Sequence, residues 1–201
     1  MTSMAPAAAR PVLADRVVPR SAWADLALVV GGAGFTALLA QFAVPMWPVP
    51  ITGQTLAILL VGASLGWARG ASAVALYAAV GVLGAPISAP KGDGSHLTGF
   101  AWLAAPDFGY VVGMILAAGL VGWLAQLRWD RTVLKAVVAF VAGEAVVYAV
   151  GLPWLAVVTH ATAQQTIEWG LTPFLLGDAI KALIAGALLP VAWLIVRRVK
   201  R

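Results

Sequence analysis

The sequence predicts an all-α integral membrane protein with six transmembrane helices and both termini in the cytoplasm. Three observations predict it. The composition is too apolar for a soluble domain, six apolar runs have spanning length, and Lys and Arg are distributed unevenly between the intervening loops. Of 201 residues, 62% are hydrophobic and 10% charged, with a mean hydropathy of +0.93. A soluble domain is nearer half apolar and about a quarter charged. The same balance excludes disorder, which needs low hydrophobicity and high charge. A formal net charge of +5 on so few charged groups does not point to nucleic acid. A basic surplus in such a chain belongs to loops beside an anionic leaflet, so membrane lipid is the expected surrounding. The absence of cysteine removes disulfides, thiolate metal ligands and thiol nucleophiles.

Residues 1–24 read as a flexible basic N-terminal tail, and 25–201 as the membrane domain. Pro6, Pro11 and Pro19 alternate there with Arg10, Arg16 and Arg20, and no apolar core of a signal peptide precedes a cleavage site. The six runs follow at about 25–44, 51–68, 71–88, 109–127, 133–158 and 173–196, near the ~17–25 residues that a spanning helix needs. None alternates like a barrel strand. Backbone groups in lipid must be paired internally, so continuous apolar runs are helices.

Orientation follows from the basic residues. Arg10, Arg16 and Arg20, then Arg69, then Arg128, Arg131 and Lys135, then Arg197, Arg198, Lys200 and Arg201 all fall on one side of a six-span layout. Lys91 alone falls on the other side, and Lys181 lies within a span. The basic side is cytoplasmic. The outer connections are the longer ones: 45–50, with three prolines, 89–108 and 159–172. Long connections tend to be binding loops or lids, so capture is expected outside. In the first span, Ala33 and Ala37 form a small-xxx-small pair, which serves close helix packing or docking of a partner helix.

Ionisable groups inside lipid are costly and mark substrate paths. Asp178 and Lys181 share one face of the sixth helix at i, i+3. They lie about one and two turns in from its outer end, at a rise of ~1.5 Å per residue. That depth suits the floor of a pocket open to the outside. A carboxylate beside an ammonium suits a ligand carrying both N–H donors and a carbonyl or carboxylate; a mutually neutralising pair that stitches helices together is the alternative. Glu144 falls near mid-membrane in the fifth span, with Tyr148 at i+4 positioned to donate to it. It is either a neutral, hydrogen-bonded glutamic acid or a proton-coupling or ligand group. His96 and His160 read as loop and interfacial residues, and two histidines without carboxylates at ligand spacing do not make a metal site. The nine tryptophans mostly fall at span ends, as an aromatic belt does. Trp102, in the long outer loop, is the candidate to cover a ligand. Two motif matches lack their context. Gly62–Gly66 fits G-x-S-x-G without a strand-to-helix turn or a histidine on its side. The stretch 32–37 fits G-x-G-x-x-A without a βαβ unit.

The order of several segments resembles the BioY family, the biotin-specific substrate-binding (S) component of energy-coupling factor (ECF) transporters. Residues 49–57 resemble VP-x-T-x-QTLA at the start of the second helix. Residues 69–71, 76–77 and 81–87 resemble the third-helix stretch, 106–113 resemble GP-x-GGYLLGF, and 147–155 resemble the fifth helix. Residues 173–181 resemble PFLPGD-x-x-K, the most specific of these. Leu176, Ala105 and the pair Asp107–Phe108 depart from those patterns. The resemblance implies the six-helix S-component fold in a bacterial plasma membrane. It also implies a biotin pocket near the outer face and ligand contacts carried onto Asp178 and Lys181. The loop around 45–53 would act as a lid, and Ala33 and Ala37 would meet a membrane-embedded coupling protein that works with two ATPase subunits. Biotin is a ligand here; no cofactor, metal or catalytic residue is expected. Ser88, Tyr110 and Tyr148 are further candidates for contact with the ligand.

Four alternatives remain on the sequence alone. The chain is an S component for another small vitamin, a solitary biotin transporter, an intramembrane enzyme, or a purely structural membrane protein. The enzyme needs a nucleophile–base pair or metal cluster, and neither is visible; the structural protein leaves the Asp178 and Lys181 pair unexplained. No P-loop is present, so ATP cannot drive transport through this chain by itself.

Overall fold

A computed structural model describes residues 11–199. The chain runs α1 (Ala14–Val17), α2 (Ala22–Ala40), β1 (Ala43–Val44), β2 (Ile51–Thr52), α3 (Gln54–Leu65), α4 (Trp67–Val82), α5 (Phe100–Leu103), α6 (Phe108–Gln126), α7 (Val133–Thr159), α8 (Ala163–Gly170) and α9 (Leu175–Val199). Each of the six apolar runs forms one of the longer helices: α2, α3, α4, α6, α7 and α9. Four of them, α2, α6, α7 and α9, are long and apolar enough to cross a membrane.

The other two are shorter than expected, with 12 residues in α3 and 16 in α4. Turn chemistry is the reason. Gly66 sits at φ 88°, a conformation glycine adopts without strain. Its N–H closes α3 onto the Gly62 carbonyl, and the chain re-enters a helix at Trp67. At the other end, Ile51–Thr52 is drawn into an antiparallel pairing with Ala43–Val44. Gly84 at φ 112°, followed by Pro86, stops α4. The 12 residues of α3 therefore rise about 18 Å.

The connections alternate between two ends. Pro11 and Arg197 line one cavity, and Gly66 lies beside Val12 and Gln126 at that same end. At the opposite end, Trp47 of the first long loop meets Trp169 of α8 with ring centroids 5.0 Å apart. The six longer helices are thus six passes between the two ends.

Residues 11–24 depart from the flexible tail that the prolines and arginines suggested. Val12 and Ala14 are buried, and Asp15 pairs with Arg69 at 2.7 Å and with Arg20 at 3.1 Å. Ser21 caps α2, accepting from the Ala24 N–H at 3.0 Å. A part-buried charge pair across 54 positions of sequence holds this segment down, which composition does not reveal. The rest of the expected tail, 1–10, lies outside the described residues.

Small residues let α3, α4 and α6 approach backbone to backbone. A Cβ at Gly62 would lie 2.4 Å from the Ala118 carbonyl oxygen, and one at Gly122 would lie 2.4 Å from the Gly66 carbonyl carbon. Between α3, α6, α7 and α9 sits a core that includes Ile58, Leu59, Val121, Phe140 and Leu155, all fully buried. The outward sides stay apolar: Leu116, Leu134, Leu183 and Leu194 are all more than half exposed, as surfaces facing hydrocarbon should be. The Ala33–Ala37 pair does not lie on such an open side. Ala33 is buried and Ala37 half-buried against a cluster with Tyr77, Ala78 and Trp102. It packs α2 onto the chain's own interior, which corrects the docking reading for those two positions. A Cβ added at Gly31 or Gly34 would meet nothing within 4 Å.

Candidate functional site

Asp178 and Lys181 lie in the first two turns of α9. The Asp178 N–H closes onto the Phe174 carbonyl at 2.8 Å, and a carboxylate in a first turn is favoured by the helix dipole. Asp178 is only 7% exposed. Lys181 Nζ donates to Asp178 Oδ1 at 3.1 Å and to Thr55 Oγ1 at 3.0 Å. Thr55, in the first turn of α3, donates in turn to Asp178 Oδ1 at 3.3 Å. The second carboxylate oxygen accepts from the Tyr148 hydroxyl of α7. Three helices therefore supply one closed set of donors and acceptors. A buried ion pair is tolerated only with such supplementary hydrogen bonds.

Glu144, one turn before Tyr148 on α7, is also buried, and among the described residues neither of its carboxyl oxygens has a hydrogen-bond partner. The expected Tyr148-to-Glu144 bond does not form. Asp178 comes from α9 to take the hydroxyl, so a partner from another helix replaces the one at i+4.

These groups surround a cavity of about 40 Å³ with Val49, Val111, Met114, Val147 and Phe174 as apolar walls. That is room for about one water molecule. Pro50 and Asp107 border both this cavity and a second one of about 440 Å³, which is lined by Trp47, Pro48, Pro90, Lys91 and Leu97 of the long loops. The polar cluster is therefore the floor, and the loops at the Trp47 end form a vestibule above it.

Of the remaining candidates, Tyr110 lines the small cavity with its ring. Its hydroxyl donates to the Gly170 carbonyl at 2.9 Å, tying α6 to α8. The ring stands edge-on to Tyr148, with centroids 6.3 Å apart, and is tilted toward Phe174 at 6.4 Å. It offers an aromatic face rather than a hydroxyl. Ser88 borders neither cavity. Its hydroxyl donates to the Leu97 carbonyl at 2.7 Å, and its own carbonyl lies 2.7 Å from His96 Nδ1. It fastens the long outer loop, which corrects its placement among ligand contacts. Trp102 is fully buried between Tyr77 and Phe108, and its indole donates to Asp107 at 3.1 Å. An aromatic used inside the core cannot cover a ligand.

Sequence reasoning passed over Thr55, although Gln54–Thr55 is a polar pair opening an apolar helix. Gln54 donates to the Tyr77 hydroxyl at 2.9 Å and accepts from Thr52 at 3.0 Å, holding the start of α3 beside the cavity.

Residues 11–198 match the BioY family model. Among similar proteins, the biotin transporter BioY of Thermotoga maritima is 34% identical, the match covering 75% of this chain and 86% of that protein. That of Rhizobium etli is 33% identical, covering 75% and 81%. The biotin transporter BioY2 of Lactococcus lactis is 29% identical, covering 80% and 85%. In three dimensions the chain superposes on the crystal structure of an S-component for biotin from an ECF-type ABC transporter. The TM-score is 0.71 at 24% identity, over 88% of this chain and 90% of that one. The two share a fold.

Proposed function

The chain belongs to the BioY family, and from that premise we propose that it is the biotin-binding S component of an ECF-type importer. It captures biotin on the outer side of a bacterial plasma membrane and has no catalytic activity of its own. The observation that carries this reading is the buried set of Asp178, Lys181 and Thr55 at the floor of a cavity that adjoins the vestibule of the long loops.

Biotin presents two ureido N–H donors, a ureido carbonyl, an apolar fused ring and a carboxylate tail. Asp178 accepts from the ureido N–H groups. Lys181 donates to the ligand's carbonyl or carboxylate while compensating Asp178. Tyr148 orients the Asp178 carboxylate, and Tyr110 and Phe174 take the ring. Biotin is larger than the 40 Å³ floor, so the loop carrying Val49 and Pro50 moves aside as the ligand enters, in the manner of a lid.

The six longer helices cross the membrane and both termini are cytoplasmic, which places eleven of the thirteen basic residues inside. The two short helices, α3 and α4, cross together with their flanking loop residues. A separate coupling protein and two ATPase subunits supply the energy. The coupling protein meets the outer surface of the bundle.

The test is to purify the protein in detergent, identify the small molecule that accompanies it, and titrate biotin. Asp178→Asn removes a charge-assisted acceptor and leaves Lys181 uncompensated, so affinity falls by more than about tenfold. Unchanged affinity, or displacement of biotin by an unrelated vitamin in a competition panel, removes this reading.

A further inference from the structure

Four arginines converge at the end of the bundle where Pro11 and α1 come beside the last turn of α9. Arg16 of α1, Arg128 and Arg131 in the turn between α6 and α7, and Arg197 in the last turn of α9 line a cavity of about 330 Å³ with Trp193 and Pro11. Arg131 is fixed there by three contacts. Its Nε donates to Asp130 at 3.0 Å and its Nη2 donates to the Pro11 carbonyl at 3.3 Å. Its guanidinium carbon lies 3.0 Å from the centroid of the Trp193 ring. Trp193 in turn donates to Asp130. Arg128 is held at φ 69°, in the left-handed region that costs a non-glycine residue energy and survives where surrounding structure imposes it.

The charges do not balance. Asp130 is engaged by Arg131 and Trp193. Among the described residues, Arg16, Arg128 and Arg197 form no ion pair. Burial, with the charges of Arg197 and Arg128 added to it, holds Arg131 below its ordinary guanidinium value although Asp130 pulls the other way. Like charges gathered around a concave site raise the local concentration of counter-ions. Guanidinium forks match phosphate oxygens in pairs.

The surroundings favour a lipid over a solute. Leu194 and Ile195, flanking Trp193 on the outside of α9, are each 56% exposed. Val196 of the arginine cavity is one turn from Ala192 on α9, at i, i+4. Ala192 belongs to an apolar groove of about 520 Å³ between α2, α3 and α9, lined also by Leu13, Leu28, Gly31, Phe35 and Leu188, so the groove begins one helical turn from the arginine cavity. A charged pocket thus lies at the end of a track of acyl-chain character.

We propose that the arginine cavity binds the phosphate headgroup of an anionic phospholipid, with an acyl chain lying in the adjoining groove. The site rests on the transport reading only for the leaflet it faces, the cytoplasmic one. Basic pockets between membrane helices on that side are suited to anionic headgroups. The lipid pins α1, the α6–α7 turn and the end of α9 to one another.

The test is native mass spectrometry of the full chain released from mixed micelles containing equal phosphatidylglycerol and phosphatidylcholine. Wild type is expected to retain phosphatidylglycerol at least tenfold over phosphatidylcholine. Arg128→Gln combined with Arg197→Gln, both on exposed side chains, should bring that ratio close to one. Equal retention of both lipids by wild type overturns the proposal without any variant. So does an unchanged preference in the double variant. A third arm adds glycerol 3-phosphate, which carries the phosphate without acyl chains. Displacement of the lipid at equimolar concentration shows a site for a soluble phosphate and overturns the lipid assignment. Biotin titration of the same samples keeps the two readings apart, because the double variant leaves the residues around Asp178 untouched.

Discussion

The Lys181 ammonium on α9 lies 3.0 Å from the Thr55 hydroxyl on α3, across 126 positions of sequence. Through that hydroxyl one helix start is fastened to another beside the cavity. Thr55→Val keeps the shape and removes both hydrogen bonds, one to the ammonium and one to the carboxylate. Hydrogen bonds to charged groups are worth about 1.5–3 kcal/mol, so biotin affinity should fall about tenfold to a hundredfold. Thr55→Ser should restore most of it. Isothermal titration of the purified variants checks this, and equal affinity for Val and Thr would remove Thr55 from the site.

The glycines of α3 and α6 make a sharper prediction about stability than about binding. At Gly62 an added methyl meets backbone, the Ala118 carbonyl oxygen at 2.4 Å, so the helices must separate. Overpacking of that kind costs about 1–3 kcal/mol. Gly62→Ala should therefore lower the midpoint of thermal unfolding in detergent. At Gly34 nothing lies within 4 Å. There the same substitution should be neutral or slightly stabilising, because alanine is the better helix former. Equal midpoints for the two variants would contradict the close crossing of α3 and α6.

The positions of the six longer helices are readable from hydropathy because lipid-facing surfaces must be apolar throughout. Their ends are not, and α3 and α4 stop early where Gly66, Gly84 and Pro86 impose turns. The β1–β2 pairing takes the ends of the first two apolar runs, and α5 and α8 are helices of four and eight residues within the long connections, too short for hydropathy to mark. Asp178 and Lys181 stand out because charge in an apolar run demands a reason. Thr55 does not, since a hydroxyl costs little inside a helix. The partner of Tyr148 is hidden from the sequence for a related reason. Helical spacing shows Glu144 at i+4 but says nothing of Asp178, which approaches from a different helix. Ser88, at the end of the third apolar run, and Trp102, in the long outer loop, look available, and become structural once Leu97 and Asp107 close on them.

Glu144 makes the next prediction. Both carboxyl oxygens are buried without a partner among the described residues, and leaving a buried polar group unsatisfied costs about 1–3 kcal/mol. Glu144→Met, of similar length and fully apolar, should raise the thermal midpoint of the ligand-free protein. If Glu144 also meets the ligand's N–H groups, the same variant should weaken biotin binding, and Glu144→Gln should weaken it less. A lower midpoint for Glu144→Met would show that the carboxyl group is satisfied by a donor within the folded chain.

The N-terminal segment should release at acid pH. Burial alone would raise the Asp15 carboxyl, but hydrogen bonds from Arg20, Arg69 and the Val12 N–H outweigh it and hold Asp15 below the ordinary value. A carboxyl depressed in the folded state contributes stability that is fully present above its unfolded value, about 3.9. That contribution is lost as pH falls through the lower folded value. Between neutrality and about pH 5 the Asp15–Arg69 pair should hold α1 in place. Below about pH 4 the contribution should decline, and α1 should detach before the helices beneath it. Hydrogen exchange of residues 12–18 as a function of pH reads this directly, with protection expected to fall on the acid side alone. Asp15→Asn should expose the same residues at neutral pH and abolish the pH dependence. Protection that survives in Asp15→Asn would mean that the buried Val12 and Ala14, rather than the ion pair, hold the segment to the bundle.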